Sequence, residues 1–251
     1  MRKLLMVVAV IVAVVMAAGM ASAAPIIPGN LSSLQGVLDN ITTAPNPGDS
    51  SVDVTTDYLS DNIDSYWHIT ATGGSLATVI IELAAYANVN SFGVYDPNNP
   101  SNNVQIFDGN ATTGSQASLS IYTDGSVYVN FADTGVDFST TWFGFYLLTP
   151  NNYFYSDSSL NADGYDHMLA YQGNNIDTVQ IGNLAPGLWT DSEYILAWED
   201  VPYPNSDGDY DDFVVMVESV QPIPEPTTLL LLGSGLIGIA GLGRRKFKKG
   251  S

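Results

Sequence analysis

Six carboxylates stand close to residue 200, between two apolar runs that are typical of β-strands. The runs at 193–198 and 213–220 predict a hairpin, which brings both acidic groups to one end of it. Like charges at such close range raise one another's pKa or attract a counter-ion. Oxygen ligands in a flexible loop suit Ca²⁺, which takes six to eight of them. The sequence therefore predicts a Ca²⁺ site from Glu199, Asp200, Asp207, Asp209, Asp211 and Asp212.

The same spacing resembles the start of an EF-hand, but only in part. Position six of that loop should be Gly and is Asp212, and Glu218 falls at position twelve. The strand predicted between Asp212 and Glu218 separates them by about 17–20 Å, at roughly 3.3 Å per residue. This distance is too long for both residues to bind one ion. We therefore reject an EF-hand. A solvated acidic turn without a specific metal remains the alternative to a β-hairpin calcium loop.

The charges of the chain are divided between its body and its ends. The 7 basic residues lie outside the stretch from Ala24 to Pro226, whereas the 26 acidic residues lie within it. Solvent, shifted pKa values or bound cations must therefore relieve the charge of the body. A body without Lys or Arg excludes nucleic acid as a partner. The absence of Cys excludes disulfides, thiol catalysis and Cys-ligated zinc.

The elements that must position the acidic loop are mostly strands. The body is rich in Val, Ile, Tyr, Phe and Thr, with many Asn, Asp and Gly, and turn signals recur every 8–15 residues or so. This pattern predicts an all-β fold, an antiparallel β-sandwich or jelly roll. The apolar runs at the two ends of the chain predict a hydrophobic helix at each terminus. Residues 142–148 are apolar almost throughout and predict a central strand buried on both faces. Leucines and isoleucines spaced three and four apart over 31–41 predict one short helix.

An Asp-Gly pair at 124–125 predicts a two-residue hairpin turn, in which both turn residues take positive φ. In the strands on either side, every second residue is apolar. We expect these alternating side chains to line the core: Leu119, Ile121, Val127, Val129 and Phe131.

The N-terminus has the pattern of a secretory signal peptide. A basic start is followed by an apolar run over 4–20 and then by the small residues Ala21, Ala23 and Ala24. We expect signal peptidase to cut after Ala23 or Ala24, so that the protein leaves the cytoplasm. An uncleaved membrane anchor is the alternative.

The C-terminus has three parts in a fixed order: Pro224, Glu225 and Pro226, an apolar stretch over 227–242, and a basic cluster. This order resembles the PEP-CTERM sorting signal of Gram-negative bacteria. The resemblance implies recognition by an exosortase at the inner membrane, a transient C-terminal anchor, and a link to exopolysaccharide and biofilm. A simple single-pass anchor is the alternative. The basic cluster, expected on the cytoplasmic side, is Arg244, Arg245, Lys246, Lys248 and Lys249.

These signals divide the chain into a signal peptide (1–23), a linker with a short helix (24–50), an acidic β-sandwich domain (51–220) and the sorting signal (221–251). Within the domain, residues 140–220 resemble an uncharacterised bacterial extracellular family with a Phe-Glu-Asp and Asp-x-Asp-Tyr-Asn-Asp type of signature. That resemblance implies secretion and a cation requirement.

Other residues are weaker candidates for chemistry. His167, beside Asp166, invites an acid–base or metal-binding interpretation, but a hydrogen-bonded residue at the start of a strand is the interpretation we favour. Tyr and Trp side chains can stack on sugars, and paired carboxylates can hydrolyse glycosides. We predict a non-catalytic structural or adhesive protein of the cell surface or extracellular matrix, stabilised by Ca²⁺. Carbohydrate binding and glycoside hydrolysis are the alternatives, and extracellular polysaccharide is the expected partner.

Overall fold

The computed structural model of the protein describes residues 23–82 and 88–224. The hydrophobic helices predicted at both termini, the sorting tripeptide beyond Pro224 and the basic cluster lie outside these residues. One compact unit covers Ala24–Ile223.

No helix in the described ranges has both the length and the apolar character needed to cross a membrane.

Strands dominate the described chain, as the composition predicted. Two α-helices are present, α1 (Ser32–Ile41) and α2 (Asp61–Asp64), with a 3-10 helix at Ser158–Leu160. The strands are β1 (Thr42–Ala44), β2 (Tyr66–Ile69), β3 (Ser75–Glu82), β4 (Ser91–Asp96), β5 (Asn99–Phe107), β6 (Gln116–Ile121), β7 (Ser126–Val129), β8 (Ala132–Asp137), β9 (Trp142–Leu148), β10 (Tyr153–Tyr155), β11 (Met168–Gln172), β12 (Thr178–Val179), β13 (Gly187–Leu188), β14 (Glu193–Trp198), β15 (Phe213–Glu218) and β16 (Val220–Ile223).

The strands form three antiparallel sheets. A seven-stranded sheet has the order β11-β14-β15-β3-β6-β7-β8. A six-stranded sheet has the order β16-β2-β9-β4-β5, with β10 paired to β9, and a small sheet has the order β1-β12-β13. The chain passes from the seven-stranded to the six-stranded sheet at Ser219, whose φ is +59°. Pro222 in β16 lies in an edge strand, where a missing N–H is tolerated.

The two large sheets pack face to face around an aromatic core. Phe92 of β4 lies 5.4 Å from Phe213 and 6.1 Å from Trp198 between ring centroids, and Trp67 lies 4.9 Å from Tyr194. Aromatic pairs at these separations add to the free energy gained from apolar burial. The arrangement confirms the sandwich-like, mostly β fold, and gives no assignment to a jelly roll.

The seven-stranded sheet is also covered on its other face. There, Ile195, Ala197, Val214 and Met216 pack with α1 and the small sheet in a second core. Alternate residues of β14 and β15 therefore enter different cores, and both strands are buried on both faces. The molecule has three layers at this hairpin.

Helix α1 forms because its apolar residues fall on one face: Leu34, Val37, Leu38 and Ile41 are all buried. Strand β9 also agrees with the sequence, since it spans Trp142–Leu148 and its five inner residues are buried.

The 119–131 hairpin differs from the prediction. Tyr122 pairs with Ser126, which leaves a three-residue loop in which only Gly125 has positive φ, at +96°. Val129 pairs with Ala132, so Asn130 and Phe131 form the turn between β7 and β8, where Phe131 takes φ +65° with 84% of its surface exposed. Its predicted core position was therefore wrong, whereas Leu119 and Val127 are buried.

Candidate metal centre

The loop 199–212 closes the β14–β15 hairpin. Trp198 pairs with Phe213 across the last register position, so the acidic residues begin where strand pairing stops. Because both faces of these strands are packed, the first loop residues are also withdrawn from water. Glu199 and Asp200 are fully buried.

Glu199 has few partners for a buried carboxyl. Its Oε2 accepts a hydrogen bond from the Ser206 hydroxyl, and its Oε1 accepts one from the Tyr210 amide at 3.4 Å. Burial, and then the nearby charge of Asp212, raise the pKa of Glu199 to about 9. An ionised Glu199 thus requires a cation close by.

Two groups of carboxylates converge in the loop. Glu199, Asp207 and Asp209 form one group, and Asp209, Asp211 and Asp212 form the other. Within each group, one oxygen per residue lies within 4.8 Å of the others. Oxygens on opposite sides of one Ca²⁺ lie about 4.6–5.2 Å apart, since each bond is roughly 2.3–2.6 Å. The spacing fits shared coordination of a hard cation around Asp209, and is not specific to Ca²⁺.

Asp200 has a different environment from the other five predicted ligands. Its Oδ2 accepts a hydrogen bond from Asn90 Nδ2 at 3.0 Å, and its backbone N–H donates to Asp212 Oδ2 at 3.0 Å. It is in neither convergent group. The backbone N–H of Asp200 therefore holds the Asp212 carboxylate in position. The predicted role of Asp200 as a ligand stays a prediction.

Two further loop carboxyls also resist ionisation. Burial, together with the charges of Asp200 and Asp209, raises the pKa of Asp212 to about 8. Burial and then the charge of Asp211 raise the pKa of Asp209 to about 6. A bound cation reverses these shifts because it stabilises the ionised form of each ligand.

The N-terminal segment holds the loop in place. A Cβ on Gly29 would lie 2.1 Å from the carbonyl oxygen of Gly208, so the two backbones touch directly. Gly208 itself has φ +69°, which favours glycine. The buried Tyr210 hydroxyl donates to the Asp166 carbonyl at 2.5 Å and accepts from the Ile27 amide at 2.9 Å. These contacts fix the acidic run 207–212 at Gly208 and at Tyr210.

His167 is a structural neighbour of the loop. It directly precedes β11 and is fully buried, with Nδ1 3.1 Å from the Glu199 carbonyl and Nε2 3.0 Å from Asp163 Oδ2. Its ring stacks on Phe154 at 4.0 Å. These contacts confirm the expected hydrogen-bonded residue at a strand start.

The aromatic candidates for sugar stacking divide between core and surface. Phe154, Tyr171 and Trp189 are buried, whereas Tyr153 and Tyr203 each expose 40% of their surface. Asn90, Ser206 and Tyr210 contact the acidic residues, and sequence patterns did not single out the first two. Asn90 lies 110 positions from Asp200, a distance at which no local spacing rule applies.

A cleft of about 250 Å³ lies at the opposite end of the hairpin, between Glu193, Glu218 and the small sheet. Strand β14 separates it from Glu199 by about 17–20 Å at roughly 3.3 Å per residue. The cleft is therefore distinct from the metal centre.

Comparison with known families identifies two regions. A model described as "Domain of unknown function (DUF4114)" matches residues 85–220, more than half of the chain and all of the acidic loop. A model of the PEP-CTERM protein-sorting motif matches residues 222–246. No match to a curated protein or to a solved structure was found. The acidic signature proposed from the sequence stays a prediction.

Proposed function

The chain belongs to the family described as "Domain of unknown function (DUF4114)", and we propose that it is a non-catalytic structural or adhesive component of an extracellular polysaccharide layer. Its PEP-CTERM motif implies export in a Gram-negative bacterium, a C-terminal anchor and processing by an exosortase. The final location, in the matrix or on the cell surface, belongs to the proposal, as does the partner polymer.

The observation that carries the proposal is the convergence of carboxylates around Asp209 in a body without Lys or Arg. Buried carboxylates that lack a cationic side chain must stay protonated or bind a cation from outside. The oxygen-only donor set suits Ca²⁺. We infer that Ca²⁺ completes the loop and stabilises the hairpin that both cores share.

Calcium would also allow this acidic protein to bind an acidic polymer. The body has no cationic surface of its own, so contact with a negatively charged polysaccharide needs shared cations. Surface carboxylates such as Asp53 and Asp124 are exposed and ionised at neutral pH, since hydrogen bonds from neighbouring residues lower their pKa. They are available for this bridging role.

Calcium titration of the mature chain tests the proposal. Ca²⁺ at a hundredfold excess over its Kd stabilises a folded state by about 2.7 kcal/mol. For a domain of this size that corresponds to a rise in Tm of about 5–11 °C. The double variant Asp207→Asn, Asp209→Asn should abolish the rise, measured by differential scanning fluorimetry and isothermal titration calorimetry.

The matched control removes two charges elsewhere. Asp108 and Asp124 are exposed carboxylates that accept hydrogen bonds from residues two positions on, and Asn can accept the same bonds. The variant Asp108→Asn, Asp124→Asn should keep the full calcium response. An unchanged Tm in the parent protein, or an equal loss in both double variants, contradicts a specific site in the loop.

Carbohydrate binding is a second candidate because of one surface feature. The ring of Tyr153 is 40% exposed and lies 5.7 Å from that of Tyr155 at an interplanar angle of 11°, so the two rings are nearly parallel. Flat aromatic faces stack on sugar rings. Retardation on a polysaccharide gel that is lost in Tyr153→Ala would favour this function.

A glycosidase needs two carboxyl groups that flank a bound sugar. The fully buried Glu199 and its close neighbours offer no such arrangement to a polymer, which favours a non-catalytic role. Turnover on a panel of glycans that is lost on changing one carboxylate would contradict it.

A further inference from the structure

A second group of acidic residues lies in the interior, away from the convergent loop carboxylates. Asp61 and Asp64 belong to α2, and Asp166 precedes β11; their exposed fractions are 8%, 1% and 2%. In the described part of the structure, Asp61 Oδ1 and both oxygens of Asp64 are buried without a hydrogen-bond partner. Unpartnered buried carboxylate oxygens cost free energy, a cost that a nearby positive charge would offset.

The electrostatics agree with that deficit. Burial raises the pKa of Asp64 well above its usual range, and the charges of Asp166 and Asp61 raise it further. Burial and the charge of Asp61 do the same for Asp166. No Lys or Arg occurs anywhere between Ala24 and Pro226 to offset these charges.

The start of the mature chain lies against this group. The Ala24 nitrogen is 3.1 Å from Asp61 Oδ2, to which its N–H donates. The next residues continue the contact: the Pro25 carbonyl accepts from the Asp166 amide at 3.1 Å, and Ile26 forms a parallel bridge with Asp166. Ala24 is thus held beside the carboxylates by backbone bonds on its C-terminal side.

Cleavage after Ala23 changes the chemistry of that nitrogen. The amide N–H of Ala24 becomes an α-ammonium group, whose ordinary pKa is about 7.7–8.0 and which is charged at neutral pH. We propose that removal of the signal peptide creates an ion pair between the α-ammonium of Ala24 and the carboxylate of Asp61, so that the new N-terminus supplies the interior acidic group with its cation.

The geometry needs no rearrangement for this step. An N···O distance of 3.1 Å already suits a charge-assisted hydrogen bond, which is about twice as strong as a neutral one. Asp61 Oδ2 also accepts from Ser158 Oγ at 2.9 Å, which holds the carboxylate in place. A metal ion is the rival occupant, but among the described residues no group with converging ligand atoms includes Asp61, Asp64 or Asp166.

The inference rests on the proposed signal-peptide cleavage, not on calcium. Two forms of the secreted chain should be compared: one that begins at Ala24 and one with a single additional Gly before it. The extra residue moves the ammonium group by up to about 3.8 Å and replaces it at Ala24 by a neutral amide. We expect the extension to lower the Tm by about 2–6 °C, measured in excess Ca²⁺ so that the loop is equally occupied.

The Asp61→Asn variant shows whether charge is the cause. Asn keeps the size and an oxygen acceptor for Ser158, so the extension should cost less than about 1 °C in this background. A second measurement does not depend on that variant: reaction of the α-amine with an amine-directed ester should be about tenfold slower in the Ala24 chain than in the extended one. Both chains are produced with the C-terminal tail retained, so that Lys246, Lys248 and Lys249 in the same molecule serve as the reference.

Three outcomes would overturn the ion pair: equal Tm values for the two chains, the same loss in the Asp61→Asn background, or equal reactivity of the two α-amines. Mass spectrometry of the native protein decides the premise separately, and a native N-terminus at Pro25 would remove it. A failed calcium response would leave all of these readings unaffected.

Discussion

The acidic loop 199–212 and the acidic turns at Asp53 and Asp124 contain the same kind of side chain with opposite properties. In the loop, burial raises the pKa of Glu199 to about 9. At the turns, side-chain and backbone hydrogen bonds from Thr55 and Ser126 lower the pKa of Asp53 and Asp124. The turns are solvated and hold their charge locally, whereas the buried loop carboxyls must stay protonated or take a cation from outside.

The difference shows that net charge alone does not identify a metal site. The formal charge of −19 is spread over many carboxylates, most of which solvent and turn hydrogen bonds can accommodate. What distinguishes the loop is the hairpin beneath it, since β14 and β15 are packed on both faces. A carboxylate becomes a candidate ligand here because the strands before and after it are buried.

The largest expected effect is on the pH dependence of calcium binding. The pKa values of Glu199, Asp212 and Asp209 are raised to about 9, 8 and 6. Without metal, these groups stabilise the fold below their unfolded pKa of about 4, and that contribution is lost as the pH rises through 6 to 9. Ca²⁺ must displace the protons, so its affinity should rise on the order of 10⁴-fold between pH 6 and 8.

Calorimetry in two buffers of different ionisation enthalpy measures the protons released. Thermal melts in metal-free buffer and in Ca²⁺ over the same pH range give the stabilities, which should diverge as the pH increases. Calcium affinity that is constant from pH 6 to 8 would show that the loop carboxyls are ionised before the metal binds.

The second effect concerns Glu199 alone. Because Glu199 is protonated at pH 7 in the metal-free protein, Glu199→Gln should change the Tm in metal-free buffer by less than about 2 °C. The same variant should weaken Ca²⁺ binding by about 100-fold, since it removes an ionised ligand. The control Asp124→Asn should leave the calcium affinity unchanged, and an equal loss there would remove the distinction between loop and turns.

The third effect tests the contact between the N-terminal segment and the loop. Gly29→Ala places a Cβ 2.1–2.3 Å from the Gly208 and Asp207 backbone, so we expect a loss of about 2–3 kcal/mol in the free energy of unfolding. Gly36→Ala in α1 meets nothing within 4 Å and should stabilise by about 0.5–1 kcal/mol. Urea unfolding of both variants measures the change in the free energy of unfolding. Similar changes for the two variants would contradict the contact.

Local patterns predicted much of the fold. The apolar runs gave β9 and β14 with the same bounds that the structure has, because a doubly buried strand has an uninterrupted apolar sequence. The three-residue loop at 123–125 was not predicted, since Asp-Gly is compatible with more than one hairpin length. The third layer was not predicted either, because the periodicity of α1 shows which face is apolar but not what it packs against.

The candidate metal centre was also accessible to local sequence patterns. Its carboxylates lie in one loop between two predictable strands, so a hairpin alone brings them together. The interior acidic group could not be predicted from local patterns, because Asp64 and Asp166 are about a hundred positions apart and come together only in the folded molecule. The sequence singles out Asp166 only as the neighbour of His167. The contact of Asp166 with the segment after Ala23 depends on the tertiary fold.

Strand β16 has a mechanical consequence. It ends at Ile223, and the sorting tripeptide begins at the next residue, so no spacer separates the folded sheet from the anchoring signal. While the chain is anchored, tension on the C-terminus is applied directly to β16, an edge strand whose neighbour in the sheet is β2. The ladder between these two strands is the first element to bear that load.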